Sequence, residues 1–325
     1  MFRGPIVQAL VLATLATGFG SSYAQQWAPK APVRVIVPFD PGSTPDLLAR
    51  VVSERLAARL GQPMVVENKP GASGNIGTNA IAKSAPDGQT IGVSIAGPLG
   101  VNALLYNKLP YDPAKDIEPI TIGASQPAVL VASMKMQVSK ASELVDELKK
   151  NPRKYSFASI GAGSASHLAM EVLASSAGAD LVHVPYKGSA AAVTALLAGE
   201  SDLAVLPAAA VAPHIKAGKL KALAIASAKR SALLPDLPTM TELGFPDVKA
   251  DAWIGFVAPA KTPAPVVQRL QAEIVQVLAE LAVKEKLLSQ SMEAVGNTPA
   301  EFRSTIASEV ARWKPVIEKH KITLD

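Results

Sequence analysis

The sequence predicts an α/β protein of two lobes, each a mostly parallel sheet flanked by helices, joined by two hinge strands. Three observations predict it. Short Val- and Ile-rich runs alternate with segments of helical period, the pattern of βαβ units with helices on both sheet faces. Hydrophobic residues make up 49% of the 325 and charged residues 18%, ample apolar material to offset chain entropy in two medium domains. Gln126-Pro127 interrupts an apolar run and Lys219 to Ser227 returns the chain. One lobe then takes both ends, residues 25–125 and 224–325, and the other the middle, residues 126–223.

Val33–Val37 reads as the first strand and residues 38–43 as a loop. Thr44 is expected as N-cap with Pro45 at the first helical position, where a missing N–H is harmless. Leu47, Leu48, Val51, Val52, Leu56 and Leu60 keep the helical period, and Gly61 ends it. Residues 64–67 form the next strand, 68–74 a loop, 75–84 a short helix and Thr90–Ile95 a third strand. Strands follow at 117–122 and 128–132, and Ser139 caps a helix reaching Lys150. Strands at 156–160, 181–184 and 203–206 then alternate with helices at 164–177, Ser189–Ala198 and a segment ending at Ala217. A strand at 221–226 and helices at 266–282 and Pro299–His320 complete the chain.

The first 24 residues read as a secretory signal peptide. Arg3 is the only charge before Lys30, residues 6–17 are apolar but too few to span a bilayer, and Ser22 and Ala24 place small residues at −3 and −1 of a cut after Ala24. A buried N-terminal helix is the alternative. No later run is long and apolar enough to cross a membrane, so a soluble periplasmic chain is expected. The lack of Cys removes disulfide frameworks, Cys-ligated metal centres and a lipoprotein anchor. Aromatics are only 5% and the net charge of +5 is spread among alternating acids and bases. That argues against a nucleic-acid partner and fits small anionic ligands.

Signals for catalysis are thin. The four His, at 167, 183, 214 and 320, lack ligand spacing, and no metal is expected. His183, on an apolar strand, reads as a core residue. Gly92 to Ala96 approaches a nucleophile elbow but ends in Ala, with Ser94 inside a strand. The loop at 161–166 sits between strand and helix as a dinucleotide loop does, yet Ser166 replaces its third glycine and no acid follows at 181–186. No cofactor is expected.

Four small-residue loops instead run from strand ends into helix starts, at 41–44, 71–75, 161–164 and 186–189. Such loops lie at the carboxyl edge of a sheet, where free N–H groups at helix N-termini attract anions. Each terminus contributes about 0.3–1 kcal/mol in the open and ~2 when partly buried, and charge-assisted hydrogen bonds about 1.5–3 each. Two facing sets reach the ~8 kcal/mol of a micromolar site without any Arg. Such loops also occur in α/β proteins that bind nothing there.

The run Pro38-Phe39-Asp40-Pro41-Gly42-Ser43-Thr44-Pro45-Asp46, the stretch from Glu67 to Gly77, Leu109-Pro110-Tyr111-Asp112-Pro113, His183-Val184-Pro185-Tyr186-Lys187-Gly188, Leu234 to Thr239 and Trp253 to Pro259 together resemble the Bug family, periplasmic receptors of tripartite tricarboxylate transporters. The matches run in order through nearly the whole mature chain. The resemblance implies a type II periplasmic binding protein, a Venus flytrap that closes on a small carboxylate: a dicarboxylate, an aromatic acid or an acidic amino acid. Ser43 stands where that family usually has a second Gly, and Ser73 where Gly is common. If position 43 needs φ > 0, Ser is strained there by about 1 kcal/mol or more; alternatively its hydroxyl reaches the ligand.

Position assigns the candidate ligand-binding residues. Gly42, Ser43 and Thr44 offer amides to one carboxylate, and Phe39 shapes an apolar wall. Gly74 and Asn75 approach from the next loop, and Ser94 and Ala96 end the third strand. Ser164 and His167 open a middle-lobe helix, with His167 donating to the distal group or lying on the helix surface. Tyr186, Lys187 and Gly188 form the second clamp, with Lys187 alternatively a solvated charge, and Pro207 and Ala208 line the cleft. Asp46 complements the first helix dipole, Asp202 is structural, and Asp40 is ambiguous beside an anion. The expected protein is a monomeric receptor without catalysis that delivers its ligand to transmembrane transporter subunits. A sensor presenting its closed form to a membrane kinase is one alternative, and a hydrolase using Ser164 and His167 another.

Overall fold

The computed structural model describes residues 27–324 except positions 187, 228, 229 and 232. The leader at 1–24 and Lys187 therefore lie outside the described residues. The strands are β1 (Val33–Val37), β2 (Met64–Asn68), β3 (Thr90–Ile95), β4 (Ile117–Gln126), β5 (Ala128–Ser133), β6 (Ser156–Ser159), β7 (Val182–Pro185), β8 (Leu203–Pro207), β9 (Leu220–Ile225), β10 (Ala252–Pro259) and β11 (Glu293–Ala294). The helices are α1 (Thr44–Leu60), α2 (Asn75–Ala82), α3 (Asn102–Leu105), α4 (Pro113–Asp116), α5 (Ala141–Lys150), α6 (Ala165–Ala177), α7 (Ser189–Ala198), α8 (Ala208–Lys216), α9 (Ala264–Ala279), α10 (Leu281–Ser289) and α11 (Pro299–His320).

These strands form two sheets, one in the order β11-β4-β10-β3-β1-β2 and the other β7-β6-β8-β5-β9. The two-lobed α/β class holds, but both sheets are mixed rather than mostly parallel. In the first, β1 pairs parallel with β2 and β3, whereas β10 runs antiparallel to β3 and β4. In the second, β6 is parallel to β7 and β8, and β5 is antiparallel to β8 and β9. The reversed strands follow from the connectivity. Only one residue, Pro127, separates β4 from β5, so the chain leaves one sheet and enters the other without a helical crossover. The return lies later than 219–227: β9 stays paired with β5, and the chain comes back through the segment that ends at β10.

Side chains alternate between the two sheet faces along the strands, as a two-residue period requires. Val33, Val35 and Val37 pack in one cluster with Leu48, Val52 and Leu56 of α1, whereas Ile36 joins Ile81 of α2 and Phe302 of α11 on the opposite face. In the second lobe Leu130 and Ala132 face Leu144 and Leu168, and Val129 and Val131 face Val193 and Val211. Both faces of each sheet are thus covered, which is why the strands read as nearly continuous apolar runs. Helix α11 spans the two cores: Phe302 packs in the first, while Trp313 and Ile317 join Leu168 and Leu173 in the second.

Several boundaries differ from the sequence reading. Ser43, extended at φ −66°, is the N-cap of α1, and Thr44 is its first residue. Helix α5 starts at Ala141, two residues after Ser139, with the Ser139 and Lys140 amides donating to the Glu143 carboxylate. The span 266–282 divides at Glu280, whose extended ψ of 132° separates α9 from α10. Strand β10 was not among the strands expected from the sequence.

Candidate functional site

A cavity of about 890 Å³ opens between the two sheets, where the α1 loop and β3 face the starts of α7 and α8. From the first lobe it is lined by Phe39, Ser43, Thr44, Pro45, Ile95 and the β10 residues Ala252 and Ile254. From the second it takes Ile160, then Gly188, Ser189 and Ala190 at the α7 start, Pro207, Ala209 and Ala210 at the α8 start, and Val193, Thr194, Leu197 and His214 from the bodies of those helices. Gln126, at the crossing between sheets, completes the lining. Among the described lining residues none is Asp, Glu, Lys or Arg.

The α1 corner is held from below. Gly42 turns the chain at φ +81°, and its N–H donates to Asp46 Oδ2 at 2.8 Å. The same carboxylate accepts from Arg50 Nε at 2.9 Å and from Asn68 Nδ2 at 2.9 Å. Burial alone would raise the Asp46 pKa, but these three donors outweigh it and hold the carboxyl below its usual range. The Ser43 N–H donates to the Asp40 carbonyl at 3.1 Å. The expectation that Gly42 and Ser43 offer free amides is thus corrected, since both are taken within the turn. The Thr44 and Asp46 amides lack an intrahelical acceptor at their place in the first turn. Ser43 carries no strain at its negative φ, and its Oγ, buried beside the cavity, has no hydrogen-bond partner.

Phe39 forms a wall because Gly74 lets it. Gly74 sits at φ +87°, and a Cβ there would come within 2.8 Å of the Phe39 ring and 2.7 Å of Pro98. The 71–75 loop does not reach the cavity. Asn75 is buried, with Oδ1 accepting from Asn102 Nδ2 at 2.7 Å and the Tyr111 hydroxyl at 3.1 Å. Tyr106 donates to Ser73 Oγ at 2.9 Å, which occupies the extra hydroxyl of that loop. Ser94 is fully buried 3.4 Å from Thr78 Oγ1, because its place on β3 turns it away from the cleft that Ile95 lines. Ala96 packs against the cores instead of lining the cavity.

On the second lobe, Gly188 caps α7 with φ +92°, and the first-turn amides of Ser189 and Ala190 are left without intrahelical acceptors. Pro207 lines the cavity, but Ala208 is fully buried, its N–H donating to the Pro127 carbonyl at 2.9 Å. Tyr186 packs against the second lobe's core, with its hydroxyl 3.4 Å from Ser201 Oγ.

Ser164 and His167 are also placed elsewhere. Ser164 caps α6, its Oγ accepting from the His167 N–H and donating to the Gly161 carbonyl at 2.6 Å. The buried His167 ring stacks on His183 with centroids 3.8 Å apart, and the Phe157 ring lies beside both, 4.9 Å from His183 and 6.1 Å from His167. The Gly163 amide donates to His167 Nδ1 at 3.0 Å, which leaves the proton on Nε2, 3.4 Å from Glu171. The imidazole therefore makes no bond to the Ser164 hydroxyl and no nucleophile–base pair exists there. Burial, then the neighbouring His167, pushes the His183 pKa down to about 4, and Ser159 Oγ lies 2.7 Å from its Nε2.

Of the candidates, Phe39, Ser43, Thr44, Gly188 and Pro207 meet at one cavity, and Gly74 supports it from behind. The sequence reading missed Gln126, Ile160, His214 and the α7 residues Val193, Thr194 and Leu197. The signal for Gln126 was present: it is an amide at the end of an apolar strand, directly before the proline that crosses between lobes.

The sequence pattern of the tripartite tricarboxylate transporter family receptor, TctC, matches residues 48–322. The chain belongs to that family. It is 38% identical to Protein BugT of Bordetella pertussis over 305 residues, covering 93% of each. Among solved structures, an R. palustris protein with adipate is 32% identical with a TM-score of 0.78, the match covering 91% of this chain and 99% of that one. MatC from Rhodopseudomonas palustris, with bound malate, is 31% identical with a TM-score of 0.73, covering 89% and 99%. The chain is a Bug-type solute-binding receptor, and the family places it among periplasmic binding proteins.

Proposed function

We propose that this TctC receptor closes its two lobes on a small carboxylate and presents the closed form to transmembrane transporter subunits. Export through the 1–24 leader, cut after Ala24, precedes this. The observation that carries the reading is the pairing of two helix N-termini, α1 from one lobe and α7 from the other, across a cavity whose described lining holds no acidic side chain. Unpaired first-turn amides and the positive ends of two helices favour an anion between them. The residues proposed to meet it are Ser43, Thr44, Ser189 and Gly188, with Phe39 and Pro207 as walls. Closure follows binding because only the closed state lets one ligand touch both lobes. The one-residue link at Pro127 and the strand entry at Ala252 are the proposed hinge, with the first lobe running to about residue 125 and resuming at β10. The adipate and malate held by the two R. palustris relatives support a carboxylate here.

A thermal-shift screen of mono- and dicarboxylates against neutral solutes of similar size tests this. A carboxylate at 100 times its dissociation constant stabilises the folded protein by about 2.7 kcal/mol, a clear upward shift in Tm. A shift with neutral solutes and none with acids contradicts the reading.

A further inference from the structure

We propose that the cleft selects a carboxylic acid with a plain hydrocarbon body, aliphatic or aromatic, over amino acids and hydroxy acids, and that Gln126 supplies a side-chain donor on its floor. This rests on the carboxylate reading above and deepens it to a ligand class.

The floor is made by strand ends. Ile95 ends β3, Ala252 and Ile254 begin β10, and Ile160 follows β6; each presents hydrocarbon to the cavity. Of the polar lining residues, Ser43, Thr44 and Ser189 sit at the two helix starts, where the ends of a ligand are held, whereas Thr194, whose hydroxyl donates to the Ala190 carbonyl, and His214 lie on the bodies of α7 and α8. An α-ammonium carried into this cleft would lose its water and meet no described carboxylate, a costly burial of an unpaired charge. Hydroxyl groups along the body would exchange water for Ile side chains, again without compensation. A methylene in the same place leaves water for an apolar surface and tightens binding by about fourfold.

Gln126 is the exception on the floor. It is 4% exposed, pairs in register with Ala252, and its Nε2 has no hydrogen-bond partner. A buried donor left unmade is unfavourable in the free protein and is satisfied when an acceptor arrives. A carboxylate or carbonyl oxygen is that acceptor. The same residue also borders a smaller crevice with Ser227 and Asp251, so the competing role is a donor to that crevice.

Titration calorimetry on the mature chain with matched pairs tests both parts. Succinate is expected to bind about tenfold or more tightly than malate, and glutarate than glutamate; glutarate, adipate and pimelate should tighten by about fourfold per methylene until the cleft is filled. Gln126→Met is expected to lower affinity for the best acid by about tenfold while leaving the ligand-free Tm equal or higher. Malate binding as well as succinate, or glutamate as well as glutarate, overturns the ligand class. Unchanged affinity in Gln126→Met overturns the floor donor and assigns it to the crevice, leaving the carboxylate reading intact. Binding of none of these acids by the unaltered chain overturns that reading and this inference together.

Discussion

Asp46 is buried at the start of α1 and accepts hydrogen bonds from Gly42, Arg50 and Asn68. It ties the turn that carries Ser43 and Thr44 to β2 and to the helix itself. Asp46→Ala leaves those donors without their shared acceptor and is expected to cost about 1–3 kcal/mol, read from urea unfolding. Its contribution is present above the ordinary carboxyl value of 3.8 and is lost as pH falls through the lower value of the folded state. His183 acts in the same sense at a higher pH. Its folded value of about 4 lies below the unfolded 6.5, so the unfolded chain binds the extra proton in between. Stability from this site is complete above 6.5 and falls as pH drops toward 4. Unfolding curves at pH 7 and pH 5 should therefore differ less for His183→Phe than for the natural chain. Gly74→Ala is expected to destabilise by about 1 kcal/mol or more from its positive φ and to weaken ligand binding by displacing Phe39. Phe39, Ser43, Thr44, Gly188 and Pro207 were legible in the sequence because they sit where strands give way to helices. Ser94 and His167 were misread because position along an element does not say which way a side chain points. Ser94 faces Thr78, and His167 turns into the stack with His183.

At the scale of elements, the strands and helices with a clean apolar period were legible, and α7 was read to the residue. The differences have local physical causes. Glu280 breaks one apolar helical run into α9 and α10 through its extended backbone, and nothing in the period announces that break. Strand β10 is an uninterrupted apolar segment, which by periodicity alone does not distinguish strand from buried helix. Helix α11 carries the least expected role, since it begins on the first lobe's core and ends on the second's. Trp313 is 1% exposed in that second core, with its Nε1 donating to Glu309 at 2.8 Å. Trp313→Ala is expected to cost about 3–5 kcal/mol, measured by chemical denaturation.

At the scale of the molecule, two sheets face one cleft, and the anchor groups lie on different lobes. The proline crossing at Pro127 left a mark in the sequence, whereas the return was expected too early, at 219–227, because the apolar period of β9 does not say which sheet the strand joins. The mixed strand order was not legible, because antiparallel pairing at a crossing depends on which strands meet in space. Ligand binding is expected to draw the lobes together, and a smaller radius of gyration by solution scattering on adding the acid checks it. The most direct measurement is a crystal structure with the tightest acid found by calorimetry. The account predicts one carboxylate within hydrogen-bond distance, about 2.7–3.2 Å, of the Thr44 or Asp46 amide, with the ligand also touching the start of α7. An acid bound on one lobe alone, or away from both helix starts, would contradict it.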